Sequence, residues 1–207
     1  WDASVVSGSG DDGCLVVAAA GGADRFGEAN RAVAFGGGHI LSGDAFDDGG
    51  PKTFSGWFYL NPPCLSLTRW CGLIEKHLNG SGSQNLLKSL SILKAPIAGT
   101  DNAVGALHYS GTTYGAFQLH FVVEAEEWTH FAVTYSATTA RLYINGLLVH
   151  EDPITGTMND NATPVTIGDN STGDHPMDGR LDEFRVYDRA LSASEVAALC
   201  DVPTICN

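Results

Sequence analysis

Asn145-Gly146 stands between two runs in which apolar and polar residues largely alternate, Ala140-Arg141-Leu142-Tyr143-Ile144 before it and Leu147-Leu148-Val149-His150 after it. Asn and Gly are the pair that most readily takes positive φ at both central positions of a two-residue turn, so the dipeptide predicts a β-hairpin. Trp128 to Tyr135 reads as a strand before the hairpin and Pro164 to Gly168 as one after it. Further on, Leu181, Glu183, Arg185 and Tyr187 alternate with Asp182, Phe184 and Val186, the pattern of a half-buried strand. No segment between these runs is long and periodic enough for a crossover helix, so the strands are expected to be antiparallel.

The rest of the chain reads the same way. Arg31 to Leu41 gives two strands or one bent strand, with Gly36-Gly37-Gly38 at the break. Thr53 to Leu60 is a strand with apolar Phe54, Trp57 and Phe58, and Trp57 and Trp128 are assigned to the core. Cys71–Lys76, Leu86–Leu93, Ala106–Tyr109 and Ala116–Val123 supply more. Trp1 to Gly22 reads as a loop plus an edge strand. Ser192 and Glu195 form a Ser-x-x-Glu capping box at the start of a short final helix, with Val196 and Leu199 on one face. Roughly twelve strands suit an all-β, two-sheet antiparallel jelly roll with a short C-terminal helix, as a single domain over 1–207.

Four blocks carry a resemblance: Trp128-Thr129-His130, Leu142-Tyr143-Ile144-Asn145-Gly146, Ile167-Gly168, and Gly179-Arg180-Leu181-Asp182-Glu183-Phe184-Arg185-Val186-Tyr187 running on to Arg189-Ala190-Leu191-Ser192. In this order they resemble the laminin-G-like, concanavalin A-like jelly-roll family. That fold hosts many functions, so ligand must be argued from the site. The resemblance implies a structural calcium at Asp182, helped by a backbone carbonyl near Gly37 and completed by a group near Asp2. Calcium takes six to eight oxygens, carbonyls and water included, so few side chains are needed. The alternative at Asp182 is a carboxylate bonded to backbone or paired with an arginine. The resemblance also suggests a rim calcium near Asp160, Asp169, Asp174 and Asp178, although acidic residues also cap turns.

A net charge of −13 argues against nucleic acids and anionic membranes, both of which need a basic face. It suits cation binding and neutral glycans. No apolar run approaches the length that spans a bilayer, so membrane insertion is not expected. The chain starts at Trp1 without a signal-peptide pattern, which reads as a processed product or a fragment.

Five cysteines, Cys14, Cys64, Cys71, Cys200 and Cys206, leave at least one unpaired within the chain. Proximity in sequence suggests Cys64–Cys71 and Cys200–Cys206, each worth roughly 2–3 kcal/mol. Cys14 would then be unpaired or bonded to a segment outside this chain. The alternative is a set of reduced cysteines in a cytosolic protein. Sequons at Asn79, Asn161 and Asn170 favour the secreted, extracellular reading and mark candidate glycosylation sites.

Catalysis is not expected. Glu124-Ala125-Glu126-Glu127 invites a glycosidase reading, since facing carboxylates can act as acid and nucleophile. The Glu-x-Asp-x-x-Glu pattern of laminarinase-like hydrolases is missing, however. No serine sits in a Gly-x-Ser-x-Gly elbow, and the histidines show no metal spacing. Trp70, Tyr109 and Tyr114, with His108, are the loop-near candidates for stacking on sugar rings. The leading expectation is a secreted, calcium-stabilised, lectin-like module that recognises a polysaccharide, a glycoprotein glycan or an extracellular protein. The second is a structural or adhesion domain that assembles through Cys14 or an edge strand.

Overall fold

A computed structural model describes residues 14–16, 19–42, 50–65, 71–77, 86–94, 103–110, 114–120, 123–153, 164–169 and 173–201. In chain order the strands are β1 (Cys14–Val16), β2 (Ala19–Gly22), β3 (Ala32–Gly36), β4 (His39–Ser42), β5 (Lys52–Leu60), β6 (Cys71–His77), β7 (Leu86–Lys94), β8 (Ala103–Ser110) and β9 (Tyr114–His120). They continue as β10 (Trp128–Tyr135), β11 (Thr139–Ile144), β12 (Leu147–Pro153), β13 (Val165–Ile167) and β14 (Asp178–Tyr187), and helix α1 (Ala193–Asp201) closes the described chain.

The strands form two seven-stranded antiparallel sheets. One runs β1-β4-β13-β6-β7-β8-β9, and the other runs β12-β11-β10-β5-β14-β3-β2. The expected hairpin is present: β11 pairs with β12, and Asn145 and Gly146 take φ of 48° and 75°. The Gly36–Gly38 break separates two strands rather than bending one. β3 lies in the second sheet and β4 in the first, and Gly37 turns between them at φ 95°.

The core lies between the sheets. Phe54, Phe58 and Leu60 of β5, Phe131, Val133 and Tyr135 of β10, and Leu181 and Val186 of β14 face Ile40, Leu73, Val165 and Ile167 of the opposite sheet. Removing each such side chain from water is worth about 1.5–3 kcal/mol before entropy is counted. The Cys64–Cys71 disulfide, expected from sequence, is formed and buried in the same cluster.

Alternation along β5 and β10 leaves a second set of side chains on the outer face of the second sheet. Trp57 and Trp128 belong to this set. They are half-buried on the outer face and are not core residues, because the inward positions of their strands are taken by Phe54, Phe58, Leu60, Phe131 and Val133. Helix α1 covers one end of the outer face. Val196 and Leu191 pack on Ala132 and Tyr143, with Tyr187 and Leu199 alongside. Thr53 pins this segment: its Oγ1 donates to the Arg189 carbonyl at 2.8 Å and accepts the Leu191 N–H at 2.9 Å. The expected capping box starts the helix, with the Ser192 N–H donating to Glu195 Oε2 at 2.8 Å. That bond, with others to Ser192 and Arg189, draws the Glu195 carboxyl down to about 2.

Candidate recognition face

The uncovered end of the outer face is built from two transverse rows, each contributed by adjacent strands. The first row is Trp128 on β10, Tyr59 on β5 and Arg180 on β14, with Ala34 of β3 opposite Arg180. Tyr59 and Trp128 stand 5.6 Å apart, centroid to centroid. The Arg180 guanidinium lies 3.8 Å from the Tyr59 ring centre and 5.4 Å from that of Trp128, and its Nη1 donates to the Ala23 carbonyl at 3.1 Å. All three side chains are half-buried. Small neighbours make room for the arginine: a Cβ on Gly22 would come within 3.1 Å of the Arg180 side chain.

The second row is His130, Trp57 and Asp182. Trp57 packs edge-on against His130 at 5.3 Å. The Ser55 hydroxyl lies 3.1 Å from His130 Nε2, and the Asn145 side-chain oxygen accepts the His130 backbone N–H at 2.9 Å. Burial, with the Arg25 charge adding to it, lowers His130 to about 4, so the ring is neutral near neutrality. Ser55 and His130 are 3% and 1% exposed. A substrate cannot reach them, so the pair is structural and not a nucleophile with its base.

Loop residues 23–28 wall this row. Asp24 organises the loop by accepting the N–H groups of Phe26 and Glu28 at 2.9 and 2.8 Å. The Arg25 guanidinium lies 4.4 Å from the Phe26 ring and 4.8 Å from the Trp57 ring. Phe26 itself is 56% exposed. Arg25 reaches Asp182 at 3.6 Å and Glu183 at 3.0 Å. The Asp182 carboxyl is raised, chiefly by burial, with Glu183 and Asp24 adding to the effect and Arg25 opposing it.

The alternation expected across Asp182, Phe184 and Val186 breaks down at this point. A bulge between Asp182 and Arg185, with Glu183 at φ 49°, shifts the strand by one position. Phe184 therefore packs against the core, 6.4 Å from Phe131, while Asp182 faces outward.

The residues proposed for calcium are not assembled together. Gly37 follows Gly36, which is opposite Asp178, whereas Asp182 lies four residues further along β14. That spacing separates Gly37 from Asp182 by more than about 13 Å. Asp2 lies outside the described residues. Asp182 and Gly37 thus do not fit one ion, and the partner of Asp182 is an arginine.

Of the rim acids, Asp160 lies outside the described residues. Asp169 is buried, accepting the His175 N–H at 3.0 Å and standing 3.9 Å from His39 Nδ1. Asp178 accepts from the Asn61 side-chain amide at 2.6 Å, and Asp174 is exposed. Among the described residues, no three His, Cys, Asp or Glu side chains come together as a metal site.

Tyr109 and Tyr114 flank the β8–β9 turn, in register with Gly115 and Ser110, and His108 pairs with Ala116. Trp70, Cys206 and the sequons Asn79, Asn161 and Asn170 lie outside the described residues. Cys14 starts β1 and Cys200 is in α1. Glu124, Glu126 and Glu127 are exposed in the turn before β10 and share no strand face.

Residues 35–197 match the family described as the Concanavalin A-like lectin/glucanases superfamily. The chain belongs to this family. No curated protein matches it. Among solved structures, the binding domain of Paraclostridial Mosquitocidal Protein 1 superposes with a TM-score of 0.67 at 19% identity, covering 95% of this chain and 48% of that one. The present chain therefore spans about half of that structure. Domain 4 of AbnA, a GH43 extracellular arabinanase from Geobacillus stearothermophilus solved with arabinotriose, gives 0.63 at 18% identity over 89% of this chain and 82% of that one. A heptameric SAP-like pentraxin from Limulus polyphemus gives 0.56 at 14% identity, covering 75% and 71%. At these identities the likeness establishes the fold. No helix among the described residues is long and apolar enough to cross a membrane.

Proposed function

We propose that this chain is a secreted, non-catalytic recognition module that binds a glycan on the outer row of Trp128, Tyr59 and Arg180. The observation that carries the reading is the row itself: two half-buried aromatic rings side by side on an outer face, with one guanidinium beside both. Aromatic faces pack against the apolar faces of sugar rings, and convergent polar groups fix hydroxyls, as in binding sites generally. AbnA domain 4, solved with arabinotriose, and the mosquitocidal binding domain support a binding role for the fold. The exposed glutamates of the turn before β10 and the sealed Ser55–His130 pair support a role without chemistry.

A glycan array tests this, run on the wild type and on Trp128→Ala, in calcium and in chelator. Binding to a defined sugar class is expected, and the alanine variant should weaken it by about tenfold or more with its melting temperature little changed. Equal binding by both proteins would place the ligand elsewhere. No binding by either would remove the glycan reading.

A second reading rests on β12. It forms one edge of its sheet and exposes Leu147 (72%), Leu148 (49%) and Val149 (40%) in succession. Exposed apolar edges are where strands add, so an extracellular protein partner at this edge is the alternative. It predicts a concentration-dependent association that Leu148→Lys abolishes.

A further inference from the structure

The bulge in β14 gathers two carboxylates around one guanidinium. On a regular strand Asp182 and Glu183 would point to opposite faces. Here Glu183 takes φ 49°, a conformation uncommon for a residue with a side chain, and both carboxylates reach Arg25. Arg25 Nη1 stands 3.0 Å from Glu183 and 3.6 Å from Asp182, and the Arg25 backbone N–H points at the same Asp182 oxygen at 3.5 Å. Arg185 reaches the same Glu183 oxygen at 3.7 Å. The side chains of Arg25 and Asp182 are only 7% and 8% exposed.

We propose that Arg25 is the built-in cation of this site, holding Asp182 and Glu183 and the loop wall of the recognition face without a divalent metal. Charge supports this, since Arg25 lies beside both carboxylates and Arg185 brings a second positive charge to Glu183. Space supports it as well. The guanidinium lies against the Phe26 and Trp57 rings, 4.4 and 4.8 Å from their centres, and stands beside Asp182 where a metal would have to bind. Ligand supply points the same way. A calcium ion wants six to eight oxygens, and the Gly37 carbonyl suggested by family resemblance lies far along the sheet.

A planar guanidinium also does what a spherical ion cannot. It sits beside both carboxylates while lying against the Phe26 and Trp57 rings, so it ties the acidic bulge to the loop and to the second row. Through the same loop, the Ala23 carbonyl holds Arg180. The wall and the row are therefore coupled by protein groups alone, and the face should keep its shape in the absence of calcium.

Thermal melting in calcium and in chelator decides this, on the wild type and on Arg25→Met, Arg25→Lys, Asp182→Asn and the double variant Arg25→Met/Asp182→Asn. The wild type should melt at the same temperature in both buffers. Arg25→Met should melt several degrees lower, because a buried carboxylate loses its partner. Adding Asp182→Asn should return part of that loss, since the stranded charge is gone. Arg25→Lys should fall between wild type and methionine, and it keeps the test open if Arg25→Met does not fold.

A calcium-induced rise in the wild type that Asp182→Asn abolishes would overturn the proposal, as would an Arg25→Met melt equal to that of the wild type. A calcium-induced rise that survives Asp182→Asn would place an ion elsewhere and leave Arg25 in its role.

Discussion

Acid should destabilise this fold through His130. The ring is 1% exposed, its Nε2 meets the Ser55 hydroxyl at 3.1 Å, and among the described residues its Nδ1 has no hydrogen-bond partner. A second proton would put a charge on a buried nitrogen that nothing accepts, close to the Arg25 guanidinium. The folded ring therefore titrates at about 4, against 6.5 in an unfolded chain. The folded value is the lower one, so between these values the unfolded state binds more protons. The contribution of His130 to stability is complete above 6.5, falls as the pH drops toward 4, and is flat below that.

The gap corresponds to about 3 kcal/mol, a substantial part of the margin of a domain this size. The assay is urea unfolding near pH 7 and near pH 4, on the wild type and on His130→Gln, whose amide can still meet Ser55. Other titrating groups are common to both proteins and cancel in the comparison. The wild type is expected to lose about 3 kcal/mol more than the glutamine variant over this range. Parallel losses would mean that His130 accepts its second proton in the folded state, and the burial argument would fail.

Two further perturbations test the sheet and its staple. A Cβ on Gly179 would lie 2.1 Å from the Tyr59 carbonyl oxygen, inside the β5–β14 ladder that carries Arg180. Gly179→Ala should therefore cost at least about 3 kcal/mol in urea unfolding, and a cost under about 1 kcal/mol would show that the strands part easily there. Replacing Cys64 and Cys71 together by serine should cost roughly 2–3 kcal/mol, matched in the wild type by reductant. Insensitivity to both would mean that the bond is not formed in solution.

Much of the fold is legible in the sequence because its signals are local. The Asn145-Gly146 turn, the Ser192–Glu195 cap and the period-two runs each act within a few residues, and each appears where expected. The facing of β5 was equally available: Phe54, Phe58 and Leu60 share one parity, which leaves Trp57 and Tyr59 to the other. Assigning Trp57 and Trp128 to the core because they lie in strands overlooks that parity, and with it the outer row. The Asp182 site was legible only in part. That the carboxylate needed a partner followed from burial, but the partner is Arg25, from the opposite end of the chain. The bulge that turns Glu183 toward it leaves no mark in the alternation of residue types.

The middle of the second sheet has a consequence for how the molecule comes into being. Strand β5 pairs on one side with β10, Trp57 meeting His130, and on the other with β14, Phe54 meeting Val186. A ribosome that has released β5 has yet to make either neighbour. The β10 ladder becomes available only once Tyr135 is made, and the β14 side of β5 stays open until the last fifth of the chain emerges. Contacts this distant in sequence are slow to form, on a scale of milliseconds to seconds for all-β folds. Truncation within β14 should thus leave a nascent chain whose central strand is unpaired on one side, a state that invites aggregation.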